Sequence, residues 1–323
     1  MSAPRVGIVG ARRVRQGLGP FVARDLVAAR VEVPCFLVTS QRSIAPALAE
    51  IERHAGISPR AYSDVERMLD AEALDALAIL SPAETHEEYL WRAVRHGLPV
   101  LCEKPLVWGM RDPADSASEL VGAFVARELL LYENCQWPFA LTGFEQLHPG
   151  VLERPPRRLR MELQPVSRGR QALGDSLSHP LSLLQTLLPG DEPSIEALAF
   201  EPDRPLRDTE PLTVRFRYRS DGLACEAELA LTHAETLPRR AALAIDGREG
   251  VRVVAPETYR LSWVAPDHRS VPMDDPLTSL VADFTGRLRV PDAADRHSRA
   301  RDIEQRMALL TEIASAYPHQ EEP

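Results

Sequence analysis

One residue stands out because its type is otherwise absent. The 323-residue chain carries 38 basic side chains, and only one of them, Lys104, is a lysine. In a composition that exchanges lysine for arginine wherever either serves, the one retained amine either survives by drift or does work that a guanidinium cannot. Arginine stays protonated at any accessible pH, whereas an amine can be tuned by burial to give and take a proton near neutrality. That chemistry is general acid–base catalysis, or else nucleophilic attack on a carbonyl to form a Schiff base. Lys104 follows the apolar run Val100-Leu101-Cys102 within Glu103-Lys104-Pro105, and Pro105 fixes the backbone just beyond it. Asp175 and His179 stand four residues apart. On a helix, four residues put both side chains on one face, with Leu177, Leu181, Leu184 and Leu188 forming a packing stripe. Pro180 is tolerated only within a first helical turn, so the helix is expected to begin near 176–178.

The other candidate chemistry is nucleotide binding. Gly10-Ala11-Arg12-Arg13 follows the apolar residues 6–9, where a glycine allows the tight turn and close approach of a pyrophosphate to a helix N-terminus. The second glycine of the usual fingerprint is replaced by Arg12, and the next glycines come late, at Gly17 and Gly19. At the end of the second strand, NAD binders place an acid for the ribose 2′-hydroxyl. Here the chain reads Thr39-Ser40-Gln41-Arg42, without one. Hydroxyls with Arg42 suit a 2′-phosphate, so NADP is favoured over NAD; the competing reading is that residues 40–43 cap the next helix.

These residues need a scaffold. Through residue 135 the pattern alternates short β-branched runs (6–9, 31–39, 76–80, 99–102, 129–132) with amphipathic helices (20–30, 44–55, 85–96, 116–127). A capping box of Ser63 and Glu66 is expected ahead of Val65 and Met68. Such strand–helix–strand units build an α/β doubly wound parallel sheet, which binds ligands at the carboxyl ends of its strands. From about residue 195 the pattern becomes two-residue alternation (196–200, 212–218, 224–231, 242–245, 251–254). Helices are expected at 177–188 and 303–316, giving an α+β domain on an open, mostly antiparallel sheet. The boundary is placed at 135/136, with a dinucleotide-binding domain over 1–135 and a substrate-binding and oligomerisation domain over 136–323.

The span 75–106, with Ser81-Pro82, His86 and Glu103-Lys104-Pro105 in order, resembles the glucose-fructose oxidoreductase and inositol dehydrogenase family (Gfo/Idh/MocA). In that family a T/S-P-x-x-x-H turn, a helix and an E-K-P loop follow one another. Asp175 and His179 are similar to its D-x-x-x-H, while the family's further acid, three residues after the histidine, is Ser182 here. The resemblance implies an N-terminal Rossmann domain binding NADP or NAD through Gly10, Ala11, Arg12, Arg13, Ser40, Arg42, Ser81, Pro82, His86, Glu103 and Lys104. It implies an oxidoreductase that moves a hydride between the nicotinamide and a C–OH, C=O or C=N carbon of a sugar, polyol or other small polar substrate. Lys104 and His179 would handle the proton and Asp175 would orient them. It also implies copies associating as a homo-oligomer, dimer or tetramer, through the C-terminal sheet. Relatives that retain the cofactor and use transient oxidation for elimination or hydrolysis, and an inert or regulatory nucleotide-binding relative, are the alternatives.

Composition excludes other classes. With 47 acidic against 38 basic residues, a net charge of −9 lacks the basic surface of a dedicated nucleic-acid binder. The four cysteines are scattered without a CxxC pair, and no cluster has metal-ligand spacing, so neither a disulfide framework nor a metal site is expected. No apolar run approaches the ~20 residues that span a bilayer. A cytoplasmic protein without membrane attachment is the expectation. Six arginines between 154 and 170 read chiefly as solvated strand and loop positions, with an anionic substrate as the other explanation.

Overall fold

The computed structural model describes residues 2–12, 17–109, 112–204, 210–255 and 260–318. The chain forms two compact units: residues 1–134 with 277–304, and residues 135–276 with 305–323. Residues 277–304, read from the sequence as part of the second domain, thus join the first.

The first unit is built on six parallel strands. These are β1 (Val6–Val9), β2 (Cys35–Leu37), β3 (Arg60–Tyr62), β4 (Ala76–Ile79), β5 (Val100–Cys102) and β6 (Leu131–Glu133), in the order β3-β2-β1-β4-β5-β6. Every residue of β1, β4 and β5 is buried, as expected for strands covered on both faces. Helices α1 (Gly19–Ala28), α2 (Ile44–Ala55), α3 (Val65–Ala71), α4 (His86–His96) and α5 (Pro113–Ala126) connect them. Gly56 and Gly97 end α2 and α4 in the left-handed conformation. The cap of α3 differs from the expected capping box: the Asp64 side chain accepts from the Arg67 amide, and a carboxylate at that position complements the helix N-terminus. The unpredicted β3 has only three residues, too few for a periodicity to register.

In the second unit, α6 (Leu141–Leu147) leads to β7 (Arg158–Leu163) and α7 (Gly169–Leu187). Strands β8 (Ser194–Glu201), β9 (Leu212–Ser220), β10 (Leu223–Leu231), β11 (Ala241–Ile245), β12 (Arg248–Val254), β13 (Leu261–Val264) and β14 (Ser270–Met273) follow. With β7 they form an eight-stranded sheet in the order β14-β13-β12-β11-β7-β10-β9-β8, antiparallel except for β7 beside β10. Strand β7 comes from the arginine-rich stretch: Leu159 and Met161 are buried in the core while Arg158 and Arg160 point to solvent. The exposed face carries ion pairs, Arg217–Glu226, Arg215–Glu228, Arg160–Glu228 and Arg240–Glu162, which solvent screening leaves weak.

Helix α7 departs most from expectation. It begins at Gly169 rather than near 176–178, and Pro180 lies in its interior. An interior proline costs ~3 kcal/mol. Leu173, Leu177, Leu181 and Leu184 are all fully buried, and at roughly 1.5–3 kcal/mol each their burial outweighs that cost. The chain continues through α8 (Pro276–Arg289) and α9 (Ala293–Ala316). Within the first unit, the Tyr132 hydroxyl donates to Asp283 of α8 (2.5 Å), which also pairs with Arg287 and Arg299.

Candidate active site

In the first unit the strand order reverses between β1 and β4, the position where open α/β sheets bind ligands. Backbone bonds carry the ladder past the strand ends: Leu80 N–H donates to Val9 O, Glu103 N–H to Ile79 O, and Asn134 N–H to Cys102 O. Gly10, Ser81, Glu103 and Asn134 are thereby aligned along one edge. Gly10 has φ +87°, and a Cβ there would stand 2.5 Å from the Ser81 nitrogen, so only glycine fits. The apparently displaced glycine has a definite role. A Cβ on Gly19, at the start of α1, would lie 2.7 Å from Ala11 Cα, so this is the glycine that lets the helix close on the first turn. No side chain caps α1 and no acid lies in its first turn, which suits an approaching pyrophosphate. These features fit a dinucleotide. Of the residues expected to hold it, Arg13 lies outside the described residues.

At the end of β2 the hydroxyls form a cluster. Ser40 Oγ and Ser43 Oγ are hydrogen-bonded at 2.9 Å, and the Arg12 guanidinium donates to Ser43 Oγ at 3.1 Å. Neither serine caps a helix through its side chain. Arg42 is exposed in the short turn Gln41–Ser43. Arg12, standing where a fingerprint glycine was expected, thus reaches the hydroxyl cluster.

His86, one of the residues expected to hold the cofactor, lies between the turn after β4 and the loop after β5. Its ring is fully buried; Nε2 meets Ser81 O at 2.8 Å, and Nδ1 meets Pro105 O at 3.1 Å and Leu106 O at 3.2 Å. Burial pushes its pKa below the usual histidine value, opposed by those carbonyls. The Ser81-Pro82 turn is braced further by the Thr85 hydroxyl against Ser81 Oγ (2.7 Å). Half-buried Lys104 is held between this ring and Glu103, whose carboxylate accepts from Asn134 Nδ2. Burial raises the Glu103 pKa, countered by the Lys104 charge and the Asn134 bond. Asn134 follows the last strand of the sheet, β6, directly.

In the second unit, Asp175 and His179 lie on successive turns of α7. Gln171 Nε2 donates to Asp175 Oδ1 (3.2 Å), and Ser182 Oγ donates to the His179 carbonyl (2.8 Å). Trp137, almost fully buried, has its ring 6.1 Å from the His179 ring. The Arg252 guanidinium lies over the same indole at 5.1 Å. Arg239 interacts electrostatically with Asp175, and Arg252 with Asp275. Neither arginine was foreseen: Arg252 belongs to an alternating strand in which one more polar residue carried no signal. Among the described residues no group of three His, Cys, Asp or Glu side chains could hold a metal, and no helix is long and apolar enough to cross a membrane. All four cysteines are buried free thiols.

Residues 4–134 match the model of the oxidoreductase family with an NAD-binding Rossmann fold. Inositol 2-dehydrogenase of Leifsonia xyli subsp. xyli is 40% identical over 85 residues, 26% of this chain and 22% of that protein. Inositol 2-dehydrogenase of Pseudomonas syringae pv. syringae is 24% identical over 205 residues, 61% of this chain and 58% of the relative. Less than two thirds of either relative's length is matched. The 3-ketoreductase KijD10 of Actinomadura kijaniata, whose crystal structure holds NADP and TDP-benzene, has a TM-score of 0.67 at 18% identity over 98% of both chains, a likeness of fold. Residues 4–134, which include Glu103-Lys104-Pro105 at a strand end of the parallel sheet, are thus similar to the oxidoreductase family with an NAD-binding Rossmann fold.

Proposed function

We propose that the protein is an NADP- or NAD-dependent oxidoreductase acting on a hydroxyl or carbonyl carbon of a sugar, polyol or other small polar molecule. The observation that carries this reading is the chain's single lysine on a strand-end loop packed against His86, on the same sheet edge as the Gly10 turn. The nicotinamide, when bound, supplies or accepts the hydride. The residues of the chain do the rest. Gly10, Ala11 and the start of α1 receive the pyrophosphate, and Arg12, Ser40 and Arg42 hold a ribose 2′-phosphate, which makes NADP the preferred cofactor. Ser81 and Pro82 border the cofactor while His86 positions the loop. Lys104 gives or takes the proton at the substrate oxygen, His179 shares that proton, and Asp175 orients the imidazole from the preceding helical turn. Glu103 tempers the ammonium charge.

The inositol 2-dehydrogenase names of the relatives support a cyclic polyol or sugar as substrate. Four buried, unbridged cysteines support residence in a reducing cytoplasm. Homo-oligomers would associate through the open Arg/Glu face of the second sheet, which salt-dependent sedimentation tests. The enzymatic reading is tested by fluorescence titration with NADPH and NADH, followed by nicotinamide absorbance assays against inositols, aldoses and their oxidised forms. Saturable binding with turnover of a panel member is expected; failure to bind either dinucleotide overturns the reading.

A further inference from the structure

The sheet of the second unit has one solvated face and one covered by helices, and the covered face is apolar almost throughout. In the antiparallel register Arg252 of β12 is opposite Trp263 of β13, and Trp263 is fully buried. Two residues earlier, on the same face, Gly250 has no room for a Cβ, which would stand 3.0 Å from Trp263 and 3.1 Å from Phe144. Arg252 is therefore a cation on the core side of the sheet. Burying a charge is costly unless something compensates it. What it has within the protein is the Trp137 ring at 5.1 Å and, through space, the charge of Asp275. Among the described residues it makes no ion pair and no hydrogen bond. A guanidinium stacked on an indole keeps its edge N–H donors directed outward in a rigid fork, and that fork matches carboxylate and phosphate oxygens.

A second cation adds to the field. Arg239, half-buried and ahead of β11, is close enough that its like charge acts on Arg252, while Asp175 acts on Arg239. Burial pushes both guanidinium pKa values down, as it does for cations held away from water. The charged groups facing this spot are thus Arg239, Arg252, Asp175 and Asp275, with His179 beside Trp137. The two carboxylates balance the two cations, and the unused donors belong to Arg252.

We propose that Arg252, backed by Trp137 and assisted by Arg239, binds an anionic group, a carboxylate or a phosphate, carried by the substrate. The inference rests on reading the His179 unit as the substrate-binding part, and it narrows the substrate to an acidic or phosphorylated polar molecule. Among sugars and polyols, those that carry an acid or phosphate group are then the better ligands.

The test measures binding to the whole chain by calorimetry and tryptophan fluorescence, with D-glucuronate, D-glucose 6-phosphate and D-glucose as probes. The wild type is expected to bind at least one anionic sugar roughly tenfold or more tightly than glucose; the stronger of the two arms identifies carboxylate or phosphate. R252M is expected to lose that preference, R252K to retain part of it, and R239M to weaken it, with thermal melts checking that each variant folds. Equal binding of glucose, no binding of either anion, or an undiminished anion preference in a folded R252M overturns the proposal. NADPH titration of the same samples keeps the two readings apart: loss of NADPH binding in the wild type bears on the cofactor assignment, while the anion result stands by itself.

Discussion

The Nδ1 atom of His86 lies 3.1 Å from the carbonyl oxygen of Pro105, while Nε2 of the same ring reaches Ser81 O at 2.8 Å. A neutral imidazole has one N–H, so it donates to one of these carbonyls and packs against the other, filling the space between the turn after β4 and the loop after β5 next to Lys104. His86→Ala is expected to lose about 1–3 kcal/mol of stability for the one carbonyl left without its donor, and more for the cavity. Turnover should fall more than NADPH affinity, since the lysine loop moves while Gly10 stays.

The same ring predicts a pH dependence. Its folded pKa is depressed below the ordinary 6.5 by burial, so the unfolded chain binds the extra proton first. The contribution of neutral His86 is complete above 6.5 and is lost as pH falls below it. Melting temperatures measured across that range should decline in the wild type, and the decline should be shallower in His86→Asn.

Glu103 has the opposite sign. Burial raises its folded pKa above the ordinary 4.5, so the folded protein binds the proton more tightly and stability falls as pH rises from 4.5 through the raised value. Glu103→Gln keeps an acceptor for Asn134 and removes the charge. Urea unfolding at neutral pH should show the variant as stable as the wild type or more so, with that difference closing in acid. An equal loss of stability at every pH would argue that the carboxylate charge carries no cost.

Gly10 and Gly56 both have positive φ but differ in what surrounds them. A Cβ on Gly10 meets backbone at 2.5 Å, whereas one on Gly56 meets nothing within 4 Å. Gly56→Ala should cost about 1 kcal/mol of backbone strain. Gly10→Ala should cost roughly 1–3 kcal/mol or more and abolish NADPH binding, because the strand-end edge must open. Calorimetry and dinucleotide titration on the two variants measure the contrast.

If Arg12 and the Ser40–Ser43 pair read a 2′-phosphate, Arg12→Ala should weaken NADPH by roughly tenfold or more and leave NADH nearly unchanged. Parallel titrations with the two dinucleotides check this.

How far the sequence revealed this arrangement depends on the distance over which each signal acts. The parallel sheet was visible because buried strands such as β4 are continuous apolar runs and α4 ends at a glycine. Lys104 was conspicuous by composition, and Asp175 and His179 by their likeness to the D-x-x-x-H of the resembled family. The start of α7 was misjudged because a local proline rule was outweighed by four buried leucines. Residues 277–304 group with the first unit through contacts such as Tyr132 with Asp283, which join positions 151 apart and which no local pattern encodes. Gly19 looked displaced for a similar reason: its closeness to Ala11 depends on how the chain returns. Arg252 was invisible because only the register of β12 with β13 shows that it points inward.

The account is tested most directly by Lys104→Arg, which keeps the positive charge and removes the exchangeable amine. With the substrate found by the panel assay, kcat should fall roughly 10²–10⁴-fold, while NADPH affinity measured by fluorescence stays as in the wild type. Turnover at the wild-type rate in a folded, NADPH-binding Lys104→Arg protein would contradict the role given to this residue.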